Sequence, residues 1–330
     1  MKTIGIGVVG FWHVHANDYA REVREHPGTD LVVGWDRDAH IADEGAAELG
    51  IDLVPSLDAL LGHAHVDAVT ITTATADHTD VIRRAIRAGK HVFTEKLLAP
   101  TVEECIELID EAEAAGVQLV VSLPQLGAPP TVAARSLIDE GALGTVTYAR
   151  VRVAHDGWLD GWLPERFADA ALAIGGAFAD LGCHPAYLVQ HFLGARPQTV
   201  AATYGAFTRH AVEDNAVVVL GYANGAVGVA EASFVTTPGA FALEVRGTDA
   251  SVLFGFGREA LIGKGGRFGD AWTELALPEA EPTPFQLWIE AIRDGADLTT
   301  NHEAAVELTR LVVAANASSG SARSYDAPPS

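Results

Sequence analysis

Sulfur is scarce in this chain: two cysteines, Cys105 and Cys183, and one methionine among 330 residues. Two thiols cannot build a disulfide framework, and no closely spaced Cys pair is present to hold a metal. The composition therefore favours a reducing compartment and a cytoplasmic protein. Basic residues are also few, 22 against 44 acidic ones, for a formal net charge of −22. Such a surface repels phosphate backbones and anionic lipid, which argues against nucleic-acid and membrane partners. No apolar run reaches the ~18 residues of a membrane-spanning helix. The opening Met1–Gly10 has too short and too glycine-rich an apolar stretch to read as a signal peptide.

What is present is an ordinary globular mixture, 48% apolar and 20% charged. At ~150 residues per domain the length suggests two domains. The first part alternates short β-rich runs with helical patterns. Strands are expected at Thr3–Val9, Leu31–Trp35, Ala68–Thr72, His91–Thr94 and Val117–Ser122. Helices are expected up to Glu25, then at Ala39–Leu49, Ser56–Leu61 and Asp80–Ala88, and from the capping box Thr101-Val102-Glu103-Glu104 to Gly116. Repeated β-α-β units build a doubly wound parallel sheet, a Rossmann fold, over residues 1–122.

Leu123–Pro130, with three prolines and a glycine, marks the crossing into a second α+β domain, 123–330. A helix is expected at Thr131–Glu140. Long β-branched runs follow at Thr145–Val153, Thr199–Phe207, Ala216–Tyr222, Ala226–Phe234, Phe241–Arg246 and Ser251–Phe254. Asn224-Gly225 tolerates the positive φ of a tight hairpin. These runs predict a large open, mainly antiparallel sheet. One helix is expected at Ala177–Leu193 and two more at Phe285–Arg293 and His302–Ser318, before a frayed tail, Ser318–Ser330.

Gly5-Ile6-Gly7-Val8-Val9-Gly10 fits the dinucleotide fingerprint as a string, but Gly5 and Gly7 fall inside the expected strand. The fingerprint belongs on the turn after it, so the first glycine is Gly10, and Trp12 and His15 occupy the second and third glycine positions. Their side chains must point away from a bound diphosphate. Asp36 ends the second strand, where a carboxylate accepts hydrogen bonds from the ribose hydroxyls of NAD. Arg37 beside it would suit the extra phosphate of NADP.

Three further strings carry a resemblance. They are Val66–His78, which contains Thr73-Ala74; Gly89–Ala99, which contains Glu95-Lys96-Leu97; and Gly175–His184, which contains Asp180 and His184. In order and spacing the chain resembles the Gfo/Idh/MocA oxidoreductases over nearly its whole length, including Gly141–Gly144. That resemblance implies a nicotinamide cofactor, NAD or NADP, held by Gly10, Phe11, Trp12, Asp36, Arg37, Thr73, Ala74, His78, Glu95 and Lys96. It also implies a sugar-like or cyclitol substrate. Leu97 and Ala74 stand where the family has prolines, which would leave Lys96 less firmly placed. Tyr187 stands where many members have an acidic residue.

The chemistry of the side chains fits hydride transfer at a carbinol or ketone carbon. On one helix, Asp180 and His184 would share a face. His184 can take and return a proton near neutral pH, with Asp180 orienting it. Lys96, at a strand end, can stabilise developing alkoxide charge on the same oxygen. His155, Trp158, Trp162, Arg166 and Tyr187 are read as substrate contacts, since aromatic faces stack on sugar C–H surfaces.

A redox-neutral cycle with tightly held NAD and a non-catalytic ligand-binding protein are the alternative readings. A metal-dependent hydrolase or lyase would need His155, Asp180 and His184 as ligands; no metal is expected. An open sheet of this kind predicts a homodimer or homotetramer.

Overall fold

The computed structural model describes residues 2–194 and 196–320. In chain order the strands are β1 (Ile4–Val9), β2 (Thr29–Trp35), β3 (Ala68–Ile71), β4 (His91–Thr94), β5 (Leu119–Val121), β6 (Val146–Ala154), β7 (Thr199–Gly205), β8 (Asn215–Gly221), β9 (Val227–Ser233), β10 (Ala240–Gly247), β11 (Ala250–Phe254), β12 (Leu261–Gly265) and β13 (Thr273–Leu275). The helices are α1 (Ala16–Glu25), α2 (Ala39–Leu49), α3 (Leu57–Leu61), α4 (His78–Arg87), α5 (Val102–Ala115), α6 (Pro129–Asp139), α7 (Ala170–Ala173), α8 (Ala177–Asp180), α9 (Cys183–Leu193), α10 (Pro284–Asp294) and α11 (Thr299–Ser319). They fall into two compact units. One is the chain up to Leu123 together with Pro282–Thr309; the other is Pro124–Glu281 with the chain from Arg310 onward.

The first unit is a five-stranded parallel sheet in the order β2-β1-β3-β4-β5. Local signals set its helix ends. Asp38 accepts from His40 N and Ile41 N to start α2, and Gly50 in the left-handed region ends it. Thr101 Oγ accepts from Glu104 N at the start of α5, but its hydroxyl then donates to the Glu104 carboxylate, so only half of the expected capping box forms. A finding the sequence reading did not anticipate is where α10 belongs. Phe285, Trp288 and Ile289 pack with Ile4, Ile6, Tyr19, Val23, Phe93 and Val120 in the core of the first unit. The Trp288 indole donates to the Gln118 carbonyl at 3.2 Å. A fully buried aromatic of this kind contributes roughly 1.5–3 kcal/mol, so the segment after Pro282 is an integral part of this unit.

The second unit is an eight-stranded sheet in the order β13-β12-β11-β10-β6-β9-β8-β7, antiparallel except for the parallel pair β6 and β9. The Asn224-Gly225 turn joins β8 to β9 as expected, with Gly225 at φ 85°. The two short strands β12 and β13 lack the β-branched density that marked the others. α9 covers one sheet face, where its Val189 lies so close to β9 that a Cβ on Gly228 would come within 2.4 Å of it.

The expected single helix over Ala177–Leu193 is two helices, and the flanking stretches bend by 47°. Pro185 explains the break. It has no N–H to give Leu181, and its ring would strike that carbonyl in a continuous helix. The Leu181 carbonyl accepts instead from His184 N, and Gly182 N reaches back to Ala177. Asp180 therefore closes α8 while His184 opens α9, and the two do not share one regular helix face. The expected helix end at Ser318 is passed by one residue in α11. The rest of the tail expected to fray, 321–330, lies outside the described residues. Among the described residues no single helix is long and apolar enough to cross a membrane.

Candidate active site

In the first unit the strand order reverses between β1 and β3, and ligands of open α/β sheets bind at the carboxyl ends there. Gly10 forms the turn after β1 at φ 88°. A Cβ on it would lie 2.6 Å from Thr73 N, so only glycine fits. The predicted register of the turn, with Gly10 first, is the one the backbone adopts. Phe11 and Trp12 are both buried, so neither ring stands over the turn in solvent. Phe11 fills the space left by Gly34 and Gly45. Its N–H donates to Asp36 Oδ2 at 2.6 Å, and Asp38 N donates to Oδ1 at 2.9 Å. Asp36 thus sits at the end of β2 with its carboxylate fixed against the turn. Arg37 is exposed and paired with Asp77 at 2.9 Å, a surface contact of little energetic weight.

Thr73 lies just beyond the carboxyl end of β3. Its buried Oγ has no hydrogen-bond partner among the described residues. Ala74 takes φ −59° and ψ 143°, the conformation proline would impose, without the ring. His78 is fully buried, with Nδ1 2.6 Å from the Leu97 carbonyl and Nε2 3.2 Å from the Thr73 carbonyl. Burial lowers its pKa, with the Leu97 and Thr73 carbonyls and the Glu95 charge pulling the other way. The imidazole thus lies between the loop after β3 and the loop that carries Lys96.

Glu95 and Lys96 follow β4 and are almost wholly buried. Lys96 Nζ lies 2.5 Å from Glu95 Oε1. Glu95 Oε2 receives the Tyr19 hydroxyl in a short hydrogen bond and lies 3.2 Å from His15 Nδ1. Burial alone would raise the Glu95 carboxyl, but the Lys96 ammonium, with His13 and His15 beside it, outweighs burial and holds it well below the usual range. Burial and the Glu95 charge push the Tyr19 phenol well up, so it stays a donor. Glu95 is thus the counter-ion of Lys96. Tyr19 was missed in the sequence, although it lies on α1 four residues after His15, which caps that helix, and the two meet the same oxygen. Ligand atoms of His13, His15 and Glu95 lie within 4.8 Å of one another, a spacing that could suit a metal. The ammonium already matches the carboxylate charge, so we assign no ion there.

In the second unit His184 is buried on the first turn of α9. Its Nδ1 lies 2.9 Å from the Tyr187 hydroxyl, which also accepts from Gln125 N at 3.1 Å. Tyr187, expected to touch substrate, is itself buried and orients the imidazole. His155, Trp158 and Trp162 form a wall with two residues that sequence reasoning missed. The Phe234 ring stacks on His155 at 5.0 Å, and His210 lies 4.2 Å from Trp158. Trp162 is 50% exposed, its indole donating to Asp156 at 3.3 Å, while Arg166 is half-buried on a short turn. Burial lowers the His155 pKa, with the Asp180 and Asp156 carboxylates pulling the other way.

The geometry defines a class: a Rossmann unit with a buried lysine at its ligand edge, and an α+β unit carrying an oriented histidine. Residues 4–123 match the model of the oxidoreductase family with an NAD-binding Rossmann fold, and residues 131–253 match the GFO/IDH/MocA C-terminal domain. The chain belongs to the Gfo/Idh/MocA family of NAD-binding oxidoreductases. It is 34% identical over 220 residues to 1,5-anhydro-D-fructose reductase of Ensifer adhaerens, covering 64% of this chain and 65% of that protein. It is 29% identical to scyllo-inositol 2-dehydrogenase (NAD(+)) of Bacillus subtilis, covering 95% of this chain and 92% of that one. Among solved structures, GenD2 from gentamicin A biosynthesis, in complex with NAD, shares 27% identity at a TM-score of 0.83, covering 98% and 96% of the two chains.

Proposed function

We propose that this chain is an NAD-dependent dehydrogenase or reductase acting on a carbinol or ketone carbon of a sugar, cyclitol or related polyol. The observation that carries the reading is the Lys96 ammonium, buried at the ligand edge of a Rossmann sheet and matched by Glu95. The Gly10–Trp12 backbone, Asp36, Thr73 and Ala74 would hold the cofactor. When bound, NAD supplies the hydride acceptor, and its reduced form the donor. Lys96 hydrogen-bonds the reacting oxygen and stabilises its developing negative charge. His184, with Nδ1 at the Tyr187 hydroxyl, is the group that takes the hydroxyl proton in oxidation and returns it in reduction. Asp180 and the ring wall bind the remaining hydroxyls and C–H faces. The named relatives, a reductase of an anhydro sugar and a dehydrogenase of an inositol, support that substrate class.

Native mass spectrometry and titration calorimetry test the cofactor assignment. Asp36 should give NAD at least a tenfold advantage over NADP. Asp36→Ala should weaken NAD about tenfold or more, the worth of a hydrogen bond to a charged acceptor. Equal affinities in the unmodified protein, unchanged by the substitution, would reject the role.

We also place the protein in the reducing cytoplasm, consistent with two buried free thiols, and expect a homodimer or homotetramer. Val217, Val219 and Val227, each 37–40% exposed, share the sheet face opposite α9. Sedimentation should give a mass of two or four chains; a monomer at micromolar concentration would remove that expectation.

A further inference from the structure

We propose that the adjacent residues Glu213 and Asp214 are a positioning pair that ties the aromatic wall to the helix bearing Asp180, so that the two move together. The proposal rests on the roles given above to Asp180 and the wall.

α8 has four residues, too few to stand alone, and its first amides have no partner within the helix. Glu213, 37 positions away in sequence, satisfies them. Its Oε2 accepts from Gly176 N at 3.0 Å, its Oε1 from Phe178 N at 2.9 Å, and its carbonyl oxygen from Ala177 N at 2.8 Å. The approach is close enough that a Cβ on Gly176 would lie 2.1 Å from the Glu213 carbonyl oxygen. One residue thus sets the start of the helix that ends at Asp180.

Asp214 does the same for the wall. It is fully buried. Its Oδ1 accepts from Phe207 N at 2.9 Å, and its Oδ2 from Thr208 N at 2.6 Å and Thr208 Oγ at 2.7 Å. With its proton on Asp214, the Thr208 hydroxyl is left to accept from His210 Nδ1 at 2.7 Å. That bond turns the His210 ring toward Trp158. The Asp214 carbonyl oxygen also accepts from Phe234 N at 2.9 Å, fixing a second ring of the wall.

Neighbouring Cα atoms across a trans peptide stand about 3.8 Å apart through a planar unit. A shift of Asp214 is therefore passed to Glu213 with little loss. A substrate ring that seats well against Trp158 and His210 holds α8 in place. One that seats badly disturbs Asp180 and loses turnover as well as affinity, which makes the pair a determinant of specificity.

Hydrogen exchange read by mass spectrometry tests the tie without turnover. Glu213→Gln places an amide NH2 against a backbone N–H and should speed exchange at 176–178 about tenfold. Asp214→Asn should speed it at least fivefold, although its side chain bonds none of those amides. Thr208→Val, a milder change confined to the wall loop, should raise it about threefold and keeps the test open if Asp214→Asn folds poorly. Exchange at 176–178 unchanged in both Asp214→Asn and Thr208→Val overturns the proposal. In turnover, Glu213→Gln should lower kcat/KM at least fivefold with a rise in KM, and that loss should vanish in an Asp180→Asn background. An equal loss in that background would also overturn the proposal. Coupled exchange in a protein that turns over no polyol with NAD would retain the tie and reject the dehydrogenase reading.

Discussion

Lys96→Ala should lower kcat by about 100- to 1,000-fold while leaving NAD affinity within about threefold. The lower bound is what removal of one preorganised donor to a developing oxyanion usually costs. The Gly10–Trp12 backbone, Asp36, Thr73 and Ala74 are untouched by the substitution, so most of the proposed dinucleotide contacts and its binding should survive. His184→Gln should cost about 100-fold or more, the range for a general acid–base group. It should also flatten the pH dependence of kcat near neutrality, since the group that titrates there is gone. Steady-state kinetics over pH 5 to 10 with a panel of sugars and inositols would show both effects. Thermal unfolding would confirm that each variant is folded. Near-normal kcat in either variant would remove that residue from the chemistry.

The second large effect is on stability. Glu95→Ala leaves the Lys96 ammonium buried and without its counter-ion, and breaking a buried pair from one side costs about 3–5 kcal/mol. Denaturant unfolding should show a loss of that size. Replacing both residues, Glu95→Ala with Lys96→Met, should recover a large part of it, because a buried ion pair gives little net stability over an apolar replacement. A double variant as unstable as the single one would mean that packing, rather than charge, explains the loss.

The pH dependence follows from the direction of the Glu95 shift. Its carboxyl is held well below the ordinary value of 4.5 in the fold. Its contribution is therefore fully present above that value and is lost as pH falls through the lower, folded value. The stability difference between the parent and Glu95→Gln should shrink as pH falls below about 4.5 and be lost at strongly acid pH.

Much of the site could be read locally. The β-α alternation identified the parallel sheet, and the placement of Gly5 and Gly7 inside a strand pointed to Gly10 as the turn. Local patterns also foresaw Asp36 at the end of β2 and the Asn224-Gly225 hairpin. What the sequence concealed depends on contacts between distant positions. Tyr19 and His15 reach Glu95 across 76 and 80 residues, and no local pattern announces such a partner. Phe234 and His210 join the wall in the same way. The break between α8 and α9 is legible in Pro185, which falls inside the expected helix. His78 is a further case. The resemblance implies that it touches cofactor, but its burial against the Leu97 carbonyl, 19 residues away, follows from no local pattern.

The packing of α10 into the first core bears on how this protein is made. As the nascent chain leaves the ribosome, the parallel sheet is assembled early, yet the side of it that meets Phe285 and Trp288 stays uncovered until Pro124–Glu281 has emerged. Closing so long a loop is slow, and the bare apolar face is open to self-association meanwhile. Any shortened version ending near Glu281 would keep every residue proposed to touch NAD and still expose that sticky surface, so its failure to stay in solution would say nothing about catalysis.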